Sequence, residues 1–136
     1  MSLYMLSWEE LGEEYLYHGT TRRALEVALA SGGTLKGPSW WGTERVADYY
    51  AEVAAEEEGP EGEEAIVRVP LSRFNRRLLK PDHNSIAEPL TYTLGADEKD
   101  LWRQWQKARG TWRDCLEIYE SVRYEAPLRI AEEDAL

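Results

Sequence analysis

The amino-acid sequence predicts an α+β fold built from small, mainly antiparallel sheets with flanking helices. Three observations carry that prediction. Helical and strand-like segments alternate in the first half of the chain, and the second half is richer in strands. The strand candidates are short and separated by long, irregular connections, which disfavours a doubly wound parallel sheet. No internal repeat or low-complexity linker divides the chain. The 136 residues suit one domain, 1–136, with residues 1–14 as a lead-in and 131–136 as a loose tail.

Taken in order, residues 5–14 (MLSWEELGEE) form a short amphipathic lead-in, and 15–18 (YLYH) are aromatic-rich and strand-like. Thr20 or Thr21 caps a helix with Ala24, Leu25, Ala28 and Leu29 on its apolar face, ended by Gly32 and Gly33. TLKGPS is a turn-rich loop before the apolar strand SWW, 39–41. Thr43 caps the helix ERVADYYAEVAAEEE. Its stripe of Val46, Ala47, Tyr50, Val53 and Ala54 turns Tyr50 inward and leaves Tyr49 at the edge. Three glutamates oppose the macrodipole at its C-terminus, so that end is expected to fray.

An acidic loop broken by Gly and Pro leads into AIVRV, 65–69, a β-branched strand ended by Pro70. LSRFNRRLL reads as a helical turn capped by Ser72, KPDHNS as a loop, and LTYTL, 90–94, as a strand. DEKDLWRQWQKARG is a helix with Leu101, Trp105 and Ala108 on one face and Trp102 beside it. TWRD is a Thr-x-x-Asp capping signature that opens WRDCLEIY, and SVRYEAPLRI, 121–130, is a final strand running into a turn.

Composition narrows the function classes. The formal net charge is −10, from 26 acidic and 16 basic residues. That opposes non-specific nucleic-acid binding, which needs clustered Lys and Arg, and leaves room for a small anionic ligand. The single cysteine, Cys115, excludes an intrachain disulfide and suits a reducing compartment, so a cytoplasmic location is expected. No apolar run approaches the ~18 residues of a membrane span, and no secretory pattern opens the chain, so no membrane partner is expected.

Metal chemistry is not expected, because His18, His83 and Cys115 lack ligand spacing and no zinc, P-loop or dinucleotide motif is present. Cys115 follows Asp114, and a neighbouring acid raises a thiol pKa, so it reads as a small core thiol. His83 reads as an exposed loop residue, and Trp102, Trp105 and Trp112 as core. His18 before Gly19 admits two readings: a strand-end residue without chemistry, or one wall of a ligand site that the glycine lets a ligand approach.

The order strand, YHGTT, helix, loop, WWGTERVADYYA, acidic loop, AIVRVPL resembles the NAD-binding half of ADP-ribosyltransferase domains of the His-Tyr-Glu type. That group includes the poly-ADP-ribose polymerases and diphtheria-type toxins. The resemblance covers residues 15–71 well and 121–130 loosely. It implies a split β-sandwich of two small, mainly antiparallel sheets with flanking helices. His18 would bond the nicotinamide ribose, and Gly19 would hold the carboxamide, with Thr20 beside them. Tyr50 would stack on the nicotinamide, with Tyr49 as the fallback. Arg22 or Arg23 would meet the pyrophosphate together with helix N–H groups.

In the family a glutamate opens the last core strand. Here Ser121 stands at that position, with Glu120 one residue and Glu117 one helical turn earlier, and Glu125 further along the strand. Glu120 and Glu117 are level candidates, although a one-residue slip reverses a strand's face. The implied activity is cleavage of the nicotinamide–ribose bond of NAD, without a metal, and transfer of ADP-ribose to an unknown acceptor, protein rather than nucleic acid. The serine motivates an alternative, a catalytically silent nucleotide-binding or protein-interaction domain on the same fold. An RNA 2′-phosphotransferase-like enzyme is a further alternative, disfavoured by the acidic charge.

Overall fold

The computed structural model describes residues 14–83, 85–86, 98–108 and 110–136. The strand expected at 90–94 and the lead-in up to residue 13 lie outside these residues. Among the described residues are seven strands: β1 (Tyr15–Thr21), β2 (Thr34–Leu35), β3 (Ser39–Gly42), β4 (Glu64–Pro70), β5 (Leu79–Pro81), β6 (Ser121–Tyr124) and β7 (Leu128–Arg129). The helices are α1 (Arg22–Ala30), α2 (Glu44–Glu58), α3 (Glu98–Lys107) and α4 (Trp112–Tyr119). One sheet has the order β4-β1-β3-β6-β5, β2 pairs with β7 in a second, and the pairings are antiparallel. The fold class is therefore α+β, as the short strands and long connections predict.

Alternation explains the central strands. Ala65, Val67 and Val69 of β4 are buried, whereas Arg68 is exposed, the period-2 signature of a strand with one face on the core. β1 pairs with β4 along its whole length, placing Leu16 opposite Val69 and His18 opposite Val67. Trp41, Phe74, Val122, Tyr124, Cys115 and Leu116 complete the core around them.

Against β3, by contrast, β1 holds the single pair Tyr17–Gly42. β3 then continues into a full ladder with β6, from Ser39–Tyr124 to Gly42–Ser121. The large sheet is thus loosely joined between β1 and β3 and tightly laced on either side.

Helix α2 covers this junction. Thr43 caps it by accepting a hydrogen bond from the Val46 N–H at 3.4 Å. Its buried stripe is Ala47, Ala51 and Ala55, small side chains that let the helix lie close to β1. The contact reaches the backbone: a Cβ on Gly19 would stand 1.9 Å from the Ala47 carbonyl oxygen and 2.6 Å from the Ala51 nitrogen. Tyr50, expected to face inward, instead lies on the flank of the alanine stripe and is 42% exposed. The periodicity located the helix but not which of two neighbouring stripes packs, because alanines carry little hydrophobic signal.

Of the two candidate caps, Thr21 caps α1, accepting from the Ala24 N–H at 3.1 Å. Other local expectations are corrected. The C-terminal turn of α2 stays helical to Glu58, whose carboxylate accepts a hydrogen bond from the Thr21 hydroxyl. Thr34–Leu35, read as loop, is a strand because β7 supplies its partner. Residues 71–81 form two single 3₁₀ turns and then β5, and Asn75 rather than Ser72 caps the second turn. His83 is half-buried, its ring 4.8 Å from that of Trp102.

The tail is docked rather than loose. Asp134 is buried, accepting from Arg73 at 2.7 Å and from the Ala131 N–H at 2.8 Å. The Leu136 N–H reaches the Ile66 carbonyl at 2.9 Å, on β4. The capping box of α4 between Thr111 and Asp114 is present as its sequence signature predicts.

Gly19→Ala is expected to force α2 off β1 and to destabilise the protein by about 2–3 kcal/mol. Glu52→Ala, on the solvent side of α2, should stay within about 0.5 kcal/mol. Urea denaturation of the two variants against the wild type checks both values.

Candidate active site

Where β1 and β3 part, a cavity of about 350 Å³ opens, within the range of small-ligand sites. His18 and Gly19 of β1 form one wall and Trp40, Trp41 and Gly42 of β3 another. Helix α2 contributes Ala47, Tyr50 and Glu57, while Ser121 and Asp82 also line the cavity.

His18 bridges the parted strands. Its Nδ1 lies 2.8 Å from the Trp40 carbonyl oxygen, and its ring centroid is 5.1 Å from that of buried Trp41. A carbonyl only accepts, so Nδ1 carries the proton and a neutral ring keeps Nε2 as an acceptor. Burial holds the imidazole pKa below its ordinary value of 6.5, opposed by the smaller effect of the Trp40 bond. His18 is therefore neutral at pH 7, with a fixed tautomer.

Tyr50 stands at the rim, its ring 5.5 Å from that of Tyr49. Tyr49 belongs to an adjoining cavity of about 370 Å³, which shares Val46, Tyr50 and Ser121 with the first. The structure thus brings His18, Gly19, Tyr50 and Ser121 to one cavity. Thr20 and Glu117 do not line it, and Glu117 is exposed on α4. Arg22 and Arg23 lie in a separate cleft among Glu26, Glu58, Glu61 and Glu63, where Arg22 pairs with Glu26 at 3.3 Å.

Glu120 sits beside the cavity but is committed elsewhere. It ends α4 in the left-handed conformation, with φ 64°, which turns the chain sharply into β6. Its backbone carbonyl accepts the Thr43 N–H at 3.1 Å. Its carboxylate pairs with Arg45 and accepts from the Thr43 hydroxyl at 2.9 Å, at the positive end of the α2 macrodipole. Gly42 permits this junction, since a Cβ there would stand 2.1 Å from the Glu120 carbonyl oxygen.

The carboxylate that sequence reasoning missed is Asp82. It follows β5 within KPDHNS, a segment read as an ordinary loop. Asp82 is 2% exposed, and one of its oxygens accepts from the Ser121 hydroxyl at 2.8 Å and from the Ser85 hydroxyl at 2.7 Å. Its N–H donates to the Cys115 sulfur at 3.3 Å. No periodic signal marks a three-residue strand such as β5. The one available cue was an aspartate between Pro81 and a nearby Ser85, which is also ordinary turn composition.

Among the described residues the ionisable lining of the cavity is His18, Glu57 and Asp82 with the phenols of Tyr17 and Tyr50, and no lysine or arginine is among them. The site therefore favours a neutral or positively charged group next to an aromatic ring. Among the described residues no group of three His, Cys, Asp or Glu is placed to hold a metal ion, and no helix is long and apolar enough to cross a membrane. The chain matches no protein-family model, no curated protein and no solved structure.

Two outcomes are expected. Because the folded pKa of His18 is depressed, the unfolded chain takes up the proton first as pH falls below 6.5. The His18 contribution to stability is thus present above 6.5 and is lost as pH drops towards the folded value. Denaturation between pH 7 and about 5.5 should show a steeper loss for the wild type than for His18→Gln. Burial pushes the Cys115 thiol up to about 11, so the native protein should resist thiol alkylation at pH 8 and react fully once unfolded in urea.

Proposed function

We propose that the cavity binds the nicotinamide riboside end of NAD and that the protein is an ADP-ribosyltransferase-like enzyme cleaving the bond between nicotinamide and ribose. The observation that carries this reading is the composition of the cavity walls. Among the described residues, a neutral histidine, a rim tyrosine and two carboxylates line the space, with no lysine or arginine. A pyridinium is flat, aromatic and positively charged, and such walls suit it.

The resemblance of YHGTT and WWGTERVADYYA to His-Tyr-Glu ADP-ribosyltransferases points the same way. The parting of β1 from β3 agrees with the split sandwich of that family. In this reading Tyr50 stacks on the nicotinamide ring, and backbone groups of Gly19 pair with its carboxamide. Nε2 of His18, left as an acceptor by the Trp40 bond, takes a ribose hydroxyl. The pyrophosphate and adenosine lie outside the cavity, and the acceptor of ADP-ribose is a protein or water.

A second reading, binding without turnover, is favoured by one observation: the Glu120 carboxylate is held by Arg45 and Thr43. Calorimetry with NAD, run beside an assay of nicotinamide release, decides between the two. The wild type is expected to bind NAD and release nicotinamide. Tyr50→Ala should raise the Kd about tenfold by loss of stacking, and His18→Ala should weaken binding as well. Binding without release selects the second reading, and a wild type that neither binds nor consumes NAD overturns both.

A further inference from the structure

We propose that Asp82, oriented by Ser121, is the carboxylate that stabilises the ribosyl cation and receives the nucleophile's proton, in place of a glutamate on the last strand. The inference rests on the NAD reading of the cavity and names the group that reading lacks.

Register places the pair. β5 and β6 match Leu79 with Tyr124, Lys80 with Arg123 and Pro81 with Val122, so the next residue of each strand end brings Asp82 beside Ser121. Ser121 in turn sits opposite Gly42 of β3, in the middle of the large sheet. The 2.8 Å bond between them therefore joins two adjacent strands at the floor of the cavity. The serine where the family has glutamate is thus a hydrogen-bond donor that holds a carboxylate from the neighbouring strand.

Other acidic residues fit less well. Glu120 is occupied by Arg45 and Thr43, and Glu117 is exposed and lines none of the cavities described. Glu57 lines the cavity from the far end of α2, but it is exposed, and water weakens its attraction for a cation. Asp82 is buried, where the same charge acts through a lower dielectric. The hydroxyls of Ser85 and Ser121 fix its orientation.

The step balances with water as nucleophile. The bond from ribose C1′ to the pyridinium nitrogen breaks, and its electron pair goes to that nitrogen, so nicotinamide leaves neutral. Positive charge passes to C1′ and the ring oxygen, which the Asp82 carboxylate stabilises. A water oxygen bonds to C1′, and its proton passes to Asp82 and then to solvent, leaving ADP-ribose. Ser121 touches no reacting atom and acts as a positioning residue through Asp82.

The test compares Asp82→Asn, Ser121→Ala and Glu120→Gln with the wild type in NAD affinity, nicotinamide release and thermal unfolding. Asp82→Asn should cut release at least a hundredfold, roughly the loss of one charge-stabilising group, while its Kd rises less than about tenfold. Ser121→Ala should cut release about tenfold while its NAD Kd stays within about threefold of the wild type, and Ser121→Thr, which keeps the hydroxyl, should restore the rate. Glu120→Gln should release nicotinamide within about threefold of the wild type.

A folded Asp82→Asn that releases nicotinamide within about threefold of the wild type overturns the assignment alone. If Asp82→Asn fails to fold, a Ser121→Ala that keeps the wild-type rate of release overturns it. A wild type that binds no NAD overturns this assignment together with the reading of the cavity.

Discussion

The structure depends on the direct contact between helix α2 and the bare backbone of Gly19. No side chain fits between them, since a Cβ would fall within 1.9 Å of a helix carbonyl. The alanine stripe of α2 answers the missing side chain of β1, so helix and strand meet at close range along Ala47, Ala51 and Ala55. That contact fixes the rotation of α2 about its axis. It sends Tyr50 to the flank, over the opening between β1 and β3, instead of into the core. The same approach that packs the helix thereby builds the rim of the cavity.

The opening itself follows from how β1 divides its pairing. All seven residues of β1 pair with β4, yet one pair joins it to β3. A sheet that loses its ladder must satisfy the freed backbone groups in another way. His18 does so for the Trp40 carbonyl, and this sets the tautomer that leaves Nε2 as an acceptor. A structural repair of the sheet and the preparation of a ligand-binding group are one hydrogen bond. Burial adds to it by keeping the ring neutral, so the positive charge the acidic cavity attracts is left for a ligand to bring.

Glu120 and Asp82 show how burial and neighbours separate two carboxylates with similar claims. Glu120 adopts a backbone conformation uncommon outside glycine, and its acid group spans from the end of α4 to the start of α2. It ties the last strand to the helix that covers the cavity. Asp82 meets the nearby Ser85 hydroxyl and, from elements distant in sequence, the Ser121 hydroxyl and the Cys115 thiol, 39 and 33 residues away. Its burial is a cost to folding that a domain of this size carries only where the hydrogen bonds hold.

By itself the sequence determined the local elements with strong signals: the Thr43 cap and the length of α2, the β-branched strand β4, the capping box of α4 and the α+β class. It also placed His18 in an aromatic strand next to a glycine, although β1 runs on past it to Thr21, and Ser121 at the head of a strand, although the segment 121–130 divides into β6 and β7. These are read from caps and periods that act over a few residues. Tertiary structure alone decided which face of α2 packs, because a stripe of alanines and a stripe containing tyrosine are both consistent with helical spacing. It decided that Thr34–Leu35 and Leu79–Pro81 are strands, since elements of two or three residues exist only through their partners. It decided that Glu120 is tied to Arg45 across 75 residues, while Asp82 reaches the cavity from a segment with the composition of a turn. Register between distant strands chooses which acid faces the site, and no short window of sequence contains that register.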